Sequence, residues 1–261
     1  PEVVVKKLGQ SGSYNITLNT KKPPFDSLKV RQAVNYAMDR SSFLKAEQGN
    51  AAEGGVLLSP PYSKWGLTHE QLAKLPGWGD GAKDKAMARK LLADAGYGPG
   101  HPLKVVVSTR AVPLYEDMAV WVIDQLHQVG IESTLEEVES ALWFGKMERG
   151  EYQIAANMVG QGADDPDSNF FENYTCGSPR NYSFYCNKDV EEMMVKESEE
   201  LNAAKRLRLV REVDERLQIE VARSMLGQAL DYVMYAPWVK GYTPHNNIYN
   251  YGRMQNVWLD R

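Results

Sequence analysis

Residues 162–186, GADDPDSNFFENYTCGSPRNYSFYC, bring Asp164, Asp165 and Asp167 within four positions, followed by several aromatics and both cysteines of the chain. Three chemistries would use such a set. A carboxylate pair set across a substrate performs acid–base hydrolysis, but neighbours in sequence do not place two groups across anything. Aspartates around a proline are also common turn formers. A calcium loop is the second possibility, because Asp165, Asp167 and Asn169 place oxygen ligands at alternate positions. The sixth position, where such a loop needs glycine, is Phe170, and the twelfth, where it needs glutamate, is Cys176. The third possibility is the polar edge of a binding cleft.

The cleft reading draws on the elements on either side. Tyr152, Ile154, Ala156 and Met158 alternate as a strand that runs into the Gly- and Asp-rich stretch, and loops at the carboxyl ends of strands are where open sheets bind ligands. Arg110 follows a strand predicted over 103–108, so it too sits at a carboxyl end. An arginine there is suited to clamp a carboxylate in bidentate fashion; the alternative is a surface arginine on a loop. His69, His101, His127 and His245 are scattered, and the patterns GxSxG, HExxH, the P-loop and GxGxxG are missing. With neither CxxC nor a Cys/His pair, a zinc site is not expected, and the residues call for no cofactor. Cys176 and Cys186 are two separate thiols or a disulfide closing a short loop; the bond would contribute about 2–3 kcal/mol and imply an oxidising compartment.

The rest of the chain supplies the frame. Its 261 residues are 43% apolar and 25% charged with a net charge of −4, enough for one large or two small domains and with no basic face for a nucleic-acid backbone. No apolar run approaches the roughly 20 residues of a membrane helix. A strand is predicted over 13–20, and Asp26 is placed to cap a helix that runs past Phe43. Residues 50–82, rich in Gly and Pro, read as a long irregular loop, the kind that is functional or packs as a wall. Helices follow over 83–95, 114–129, 140–149, 188–200 and 204–222, with strands over 103–108, 131–138, 152–158 and 231–242. The alternation predicts a mixed α/β (α+β) fold.

Six segments, in order, resemble the family 5 extracellular solute-binding proteins: PFDSLKVRQAVNYAMDRSSFL (24–44), ARKLLADAGY (88–97), VIDQLHQVGIESTLEEVE (122–139), DDPDSNFF (164–171), NYSFYCNKDVEEMM (181–194) and KRLRLVREVDERL (205–217). The resemblance implies a lobe of the type II periplasmic-binding-protein kind in the receptor of an ABC importer. Such a receptor captures a peptide or other small solute between two lobes and delivers it to the membrane permease. It also implies that the chain, which opens on Pro1 and a strand-like run, is the C-terminal half of such a receptor, periplasmic or extracellular and tethered by a segment outside it. Residues 24–225 are then the second ligand-binding lobe. Residues 1–23 and 226–261 are the hinge strands and the remnant of the first lobe.

For site residues, the resemblance places Arg110 where dipeptide-binding members hold the ligand carboxylate. It places Gly162 where peptide-binding members carry the aspartate that pairs with the ligand's ammonium, leaving Asp164, beside Asp165, as the substitute. It further implies a Cys176–Cys186 disulfide. The competing expectation is an Asp-dependent hydrolase or metal-binding module built on 164–167.

Overall fold

The computed structural model describes residues 2–160, 163–244 and 254–260. Gly162 and His245 lie outside the described residues. A six-stranded mixed sheet organises the chain, built from β1 (Val4–Leu18), β2 (Ala51–Ala52), β3 (Lys104–Arg110), β4 (Glu132–Val138), β5 (Ile154–Gly160) and β6 (Ser224–Tyr235) in the order β2-β6-β1-β5-β3-β4. β3 runs parallel to β4 and β5, while β1 pairs antiparallel with both β5 and β6. A two-stranded ribbon, β7 (Val239–Lys240) with β8 (Trp258–Leu259), stands apart.

The helix predicted from Asp26 is two helices, α1 (Leu28–Ala37) and α2 (Arg40–Ala46). Ser27, not Asp26, is the N-cap of α1; the Asp26 carboxylate accepts the Ser27 N–H instead. The break comes at Asp39, whose side chain accepts the Ser42 N–H and starts α2 afresh. It also turns Arg40 inward, where its guanidinium donates to the carbonyls of Met225, Met38 and Asn35 and lies over the Trp78 ring. Arg31 donates to the carbonyls of Phe25, Asp26 and Glu220. Both arginines are buried, and carbonyl oxygens satisfy most of their donors. The charged letters of the 24–44 motif therefore hold the fold together.

α4 (Gly81–Asp94) ends before Gly96, whose φ of +89° is the left-handed geometry glycine adopts freely. α5 (Pro113–His127) crosses from β3 to β4, and its Met118, Ala119, Val122 and Leu126 are buried in the main core with Ile16, Leu18, Val107 and Ile154. Residues 50–82 form a wall, as a loop of that length must to stay ordered. They include α3 (His69–Leu72), closed by a Thr68–Gln71 capping box. Val56, Leu57 and Trp65 pack on Phe170, Tyr174, Val190 and Leu217.

One buried carboxylate pins that wall. Asp214, on α9 (Ala203–Ile219), accepts the N–H groups of Val56 at 2.8 Å and Leu57 at 3.2 Å. Its burial pushes the carboxyl up to about 6, opposed by those two N–H donors. A Cβ at residue 55 would come within 2.4 Å of the same carboxylate, so only glycine lets the backbone approach this closely. β6 begins seven residues before the strand predicted at 231, because Ser224–Leu230 is buried on both faces and shows no alternation to read.

Candidate functional site

The carboxylates of 164–167 sit at the start of a helix, not in an open loop. Asp165 is the N-cap of α7 (Pro166–Tyr174), accepting the Asp167 N–H, with Pro166 at the first helical position. Arg206, from α9, grips Asp165 through both terminal nitrogens at 3.0 and 3.3 Å, reaches Asp167 at 3.2 Å, and donates from Nε to Glu197. Asp167 also accepts the Ser198 hydroxyl, and the guanidinium lies over the Trp65 ring. Asp164 accepts the Ser63 hydroxyl at 3.0 Å, and its carbonyl accepts the Trp65 indole N–H. Asp164, Asp165 and Asp167 thus join α7 to the 50–82 wall, to α9 and to α8 (Lys188–Ser198) respectively. None of them lines the cavity described below, so the expectation of cleft-edge carboxylates gives way to a helix cap and an ion-pair network.

Glu197 is the unusual member of that network. Its side chain is fully buried, and Oε1 has no hydrogen-bond partner. Burial, then hydrogen bonding and repulsion from Asp167, push its carboxyl up to about 8, against the pull of Arg206. Because the folded value lies above the unfolded one, the stability Glu197 contributes is complete below about pH 4.5 and lost as pH rises through about 8. Glu197→Gln, which keeps a donor toward Asp167 at every pH, is expected to flatten this part of the profile. The check is the urea midpoint of variant and wild type from pH 5 to 9; parallel curves contradict it.

The cysteines are joined, Cys176 following α7 and Cys186 preceding α8. The bridge holds a segment that reaches the cavity through Arg180 and Tyr182. Replacing both cysteines with serine is expected to lower stability by about 2 kcal/mol. An unchanged denaturation midpoint contradicts that expectation.

The cavity, of about 590 Å³, opens where the carboxyl ends of the parallel strands β3 and β5 meet the antiparallel pair β1 and β6. β3 contributes Arg110; β5 contributes Asn157, Met158, Val159 and Gly160; β1 contributes Gln10, Gly12, Tyr14 and Thr17. Trp143, Phe144 and Met147, from α6 (Ser140–Glu148), make an apolar side, and Leu114 and Tyr115 come from the first turn of α5. Glu47, Asn50, Asn173, Ala229 and Leu230 complete the described lining.

Arg110 is the last residue of β3 and the best-placed donor. Its guanidinium lies 5.1 Å from the Tyr115 ring centre and 5.8 Å from that of Phe144, and it donates to the Ser140 hydroxyl at 3.3 Å. Its Nε is buried without a hydrogen-bond partner, and so is Asn157 Oδ1 in the same wall. Two aromatic rings lie close to a cation that has no carboxylate partner among the described ion pairs. Behind the lining residues Asn173 and Arg180, Arg223 is 2% exposed and donates to Asn173 Oδ1 and the Arg180 carbonyl. The arrangement suits an anionic group presented edge-on to Arg110. Among the described residues no cluster of three His, Cys, Asp or Glu side chains gathers as a metal site, and no helix is long and apolar enough to cross a membrane.

Of the residues lining this cavity, the sequence pointed to Arg110 and not to Glu47, Asn157, Arg180 or Tyr182. Arg180 and Tyr182 stand inside the 162–186 segment, between the cysteines. Glu47 carried one local signal, a helix end followed by Gln48-Gly49, but nothing in the letters told which way that turn faces.

Comparison with known proteins follows the same lines. The family profile described as bacterial extracellular solute-binding proteins, family 5 Middle, matches residues 1–181. The periplasmic oligopeptide-binding protein OppA of Haemophilus influenzae is 26% identical over 249 residues, covering 91% of this chain and 44% of that protein. The dipeptide-binding protein of Escherichia coli is 27% identical over 187 residues, covering 69% of this chain and 33% of that protein. The structure of OppA from Burkholderia pseudomallei superposes with a TM-score of 0.81 at 22% identity, over 98% of this chain and 50% of that one. Helicobacter pylori DppA, solved with the peptide STSA, gives 0.79 at 22% identity, over 100% of this chain and 49% of that one. These superpositions show a shared fold, that of the type II periplasmic binding proteins. The chain spans less than half the length of the curated relatives it matches.

Proposed function

The chain belongs to the bacterial extracellular solute-binding proteins of family 5, and from that premise we propose that it forms one lobe of the substrate-binding component of an ABC importer. In this reading the cavity at Arg110 captures a small solute, a peptide foremost, and closure of a second lobe over it presents the complex to the membrane permease. The family is one of solute-binding proteins, and the proposed cycle of binding, closure and release involves no covalent chemistry. The relatives named periplasmic support a site of action outside the cytoplasmic membrane.

The observation that carries the reading is Arg110 itself: a cation without a carboxylate partner among the described ion pairs, near the Tyr115 and Phe144 rings at the wall of the cavity. The hydrolase alternative loses its support, because Asp165 and Asp167 share an ion pair with Arg206 and Asp164 is bound to Ser63.

The domain boundaries belong to the same proposal. The inner half of β1 pairs with both β5 and β6, whereas Val4–Gly9 pairs with Leu230–Tyr235 alone. That two-stranded extension, with Val5 and Met234 exposed, supports Val4–Gly9 and Leu230–Tyr235 as hinge strands within the 1–23 and 226–261 segments proposed to lead to the first lobe. The test is small-angle scattering of the intact gene product with and without a peptide pool, alongside an assay for peptide hydrolysis. Compaction without turnover supports a transport receptor; turnover contradicts it.

A further inference from the structure

We propose that Glu47 is the cation-holding residue of this cavity, pairing with an alkylammonium on the solute while Arg110 takes its anionic group. The inference deepens the reading above and rests on it. It starts from an accounting of charge. The charged side chains among the described lining are Glu47, Arg110 and Arg180. Arg180 is already paired with Glu172 at 3.2 Å. Arg110 has no carboxylate partner and Glu47 no cationic one among the described ion pairs, although both are partly withdrawn from water. Two opposite charges held apart in one cavity, each without a partner, are complementary to a solute that carries both signs.

Glu47 is also built to stay where it is. Its backbone N–H caps α2 by donating to the Phe43 carbonyl. The chain then turns sharply through Gln48 and Gly49, at φ of 49° and 96°, and the Asn50 N–H closes the turn onto the Glu47 carbonyl at 2.9 Å. The Asn50 carbonyl in turn accepts the Leu230 N–H at 2.7 Å, tying the turn to β6.

Buried Tyr14 lines the same wall, and its neutral hydroxyl favours the charged Glu47 carboxylate without neutralising it. Burial and the negative charge of Asp117 both disfavour its ionised form. An ammonium would reverse that penalty, using the carboxylate's remaining acceptor capacity with Asn50 beside it. A single carboxylate makes a poor site for a divalent metal, which needs several oxygen ligands, so the chemistry points to an amine.

The experiment is isothermal titration of the intact gene product, wild type and Glu47→Gln, with Ala-Ala-Ala, its N-acetylated form, and N-acetylated Ala-Lys-Ala. Glu47→Gln is expected to weaken Ala-Ala-Ala at least about tenfold, the worth of one charge-assisted hydrogen bond. N-acetylation of the peptide should weaken wild type to the same degree, and the two changes together should cost little more than either. If N-acetylated Ala-Lys-Ala binds wild type tightly and loses that affinity in Glu47→Gln, the amine recognised is a side-chain one, and the assignment of Glu47 stands. Wild-type binding that is indifferent to both Glu47→Gln and acetylation overturns the assignment alone. No binding of any peptide by wild type overturns the transport reading and this inference with it. The acetylation arm needs no mutant, so misfolding of Glu47→Gln cannot mask the answer.

Discussion

Replacing Arg110 with alanine in the intact protein is expected to weaken solute binding by about 2–4 kcal/mol, a loss of roughly 30- to 1000-fold. The size follows from where the guanidinium stands. It ends β3, it lies 5.1 and 5.8 Å from the Tyr115 and Phe144 ring centres, and its one described hydrogen bond is to the Ser140 hydroxyl. A group oriented this well loses little side-chain entropy on binding, so most of its charge-assisted bonding appears as affinity. Arg110→Lys separates charge from shape: it keeps the positive charge but not the planar fork, and its affinity should fall between the two. Titration of all three proteins with one peptide gives the answer. Equal affinities would return Arg110 to an ordinary surface arginine.

The second large effect is on stability. Arg206→Met is expected to cost about 3 kcal/mol in chemical denaturation at neutral pH. Arg206 is the cation that the structure shows reaching Asp165, Asp167 and Glu197 together, and it is itself 80% withdrawn from solvent at the side chain, being 20% exposed. Removing it leaves two acidic groups at the start of α7 facing a buried third, which is why breaking such a network costs more than a surface pair. Methionine preserves much of the apolar stem that packs near Trp65, so the loss reports on charge more than on volume. The effect should shrink as pH falls and the carboxyls take up protons. A neutral-pH loss below about 1 kcal/mol contradicts the assigned role.

These two arginines show how far the letters could lead. Arg110 could be placed near a strand end because strand periodicity over 103–108 located β3 to within two residues, although the strand runs on to include Arg110 itself. Arg206 stood only as one letter of the helix predicted over 204–222. Its partners Asp165 and Asp167 lie 39 or more residues away, and no local pattern announces such a distant meeting. The aspartates themselves did carry an overlooked signal: an acidic residue directly before proline is the ordinary start of a helix, and α7 begins there. The strands and helices of the βαβ unit came out within a residue or two, because each has one buried face. β6 began earlier than predicted, since burial on both faces erases alternation. The cavity was the hardest part to foresee, because its wall is assembled from β1, β5, α6 and the turn at Glu47, elements far apart in sequence and joined only by the sheet order.

The central claim is that the Arg110 cavity holds a small solute for transport. Native mass spectrometry of the intact gene product, purified without added ligand and then with a peptide pool, tests it most directly. The account predicts a stoichiometric adduct of a small molecule, released intact on activation and lost or greatly diminished in Arg110→Ala. A wild-type protein that shows no adduct under either condition, or one equally loaded when Arg110 is alanine, contradicts it.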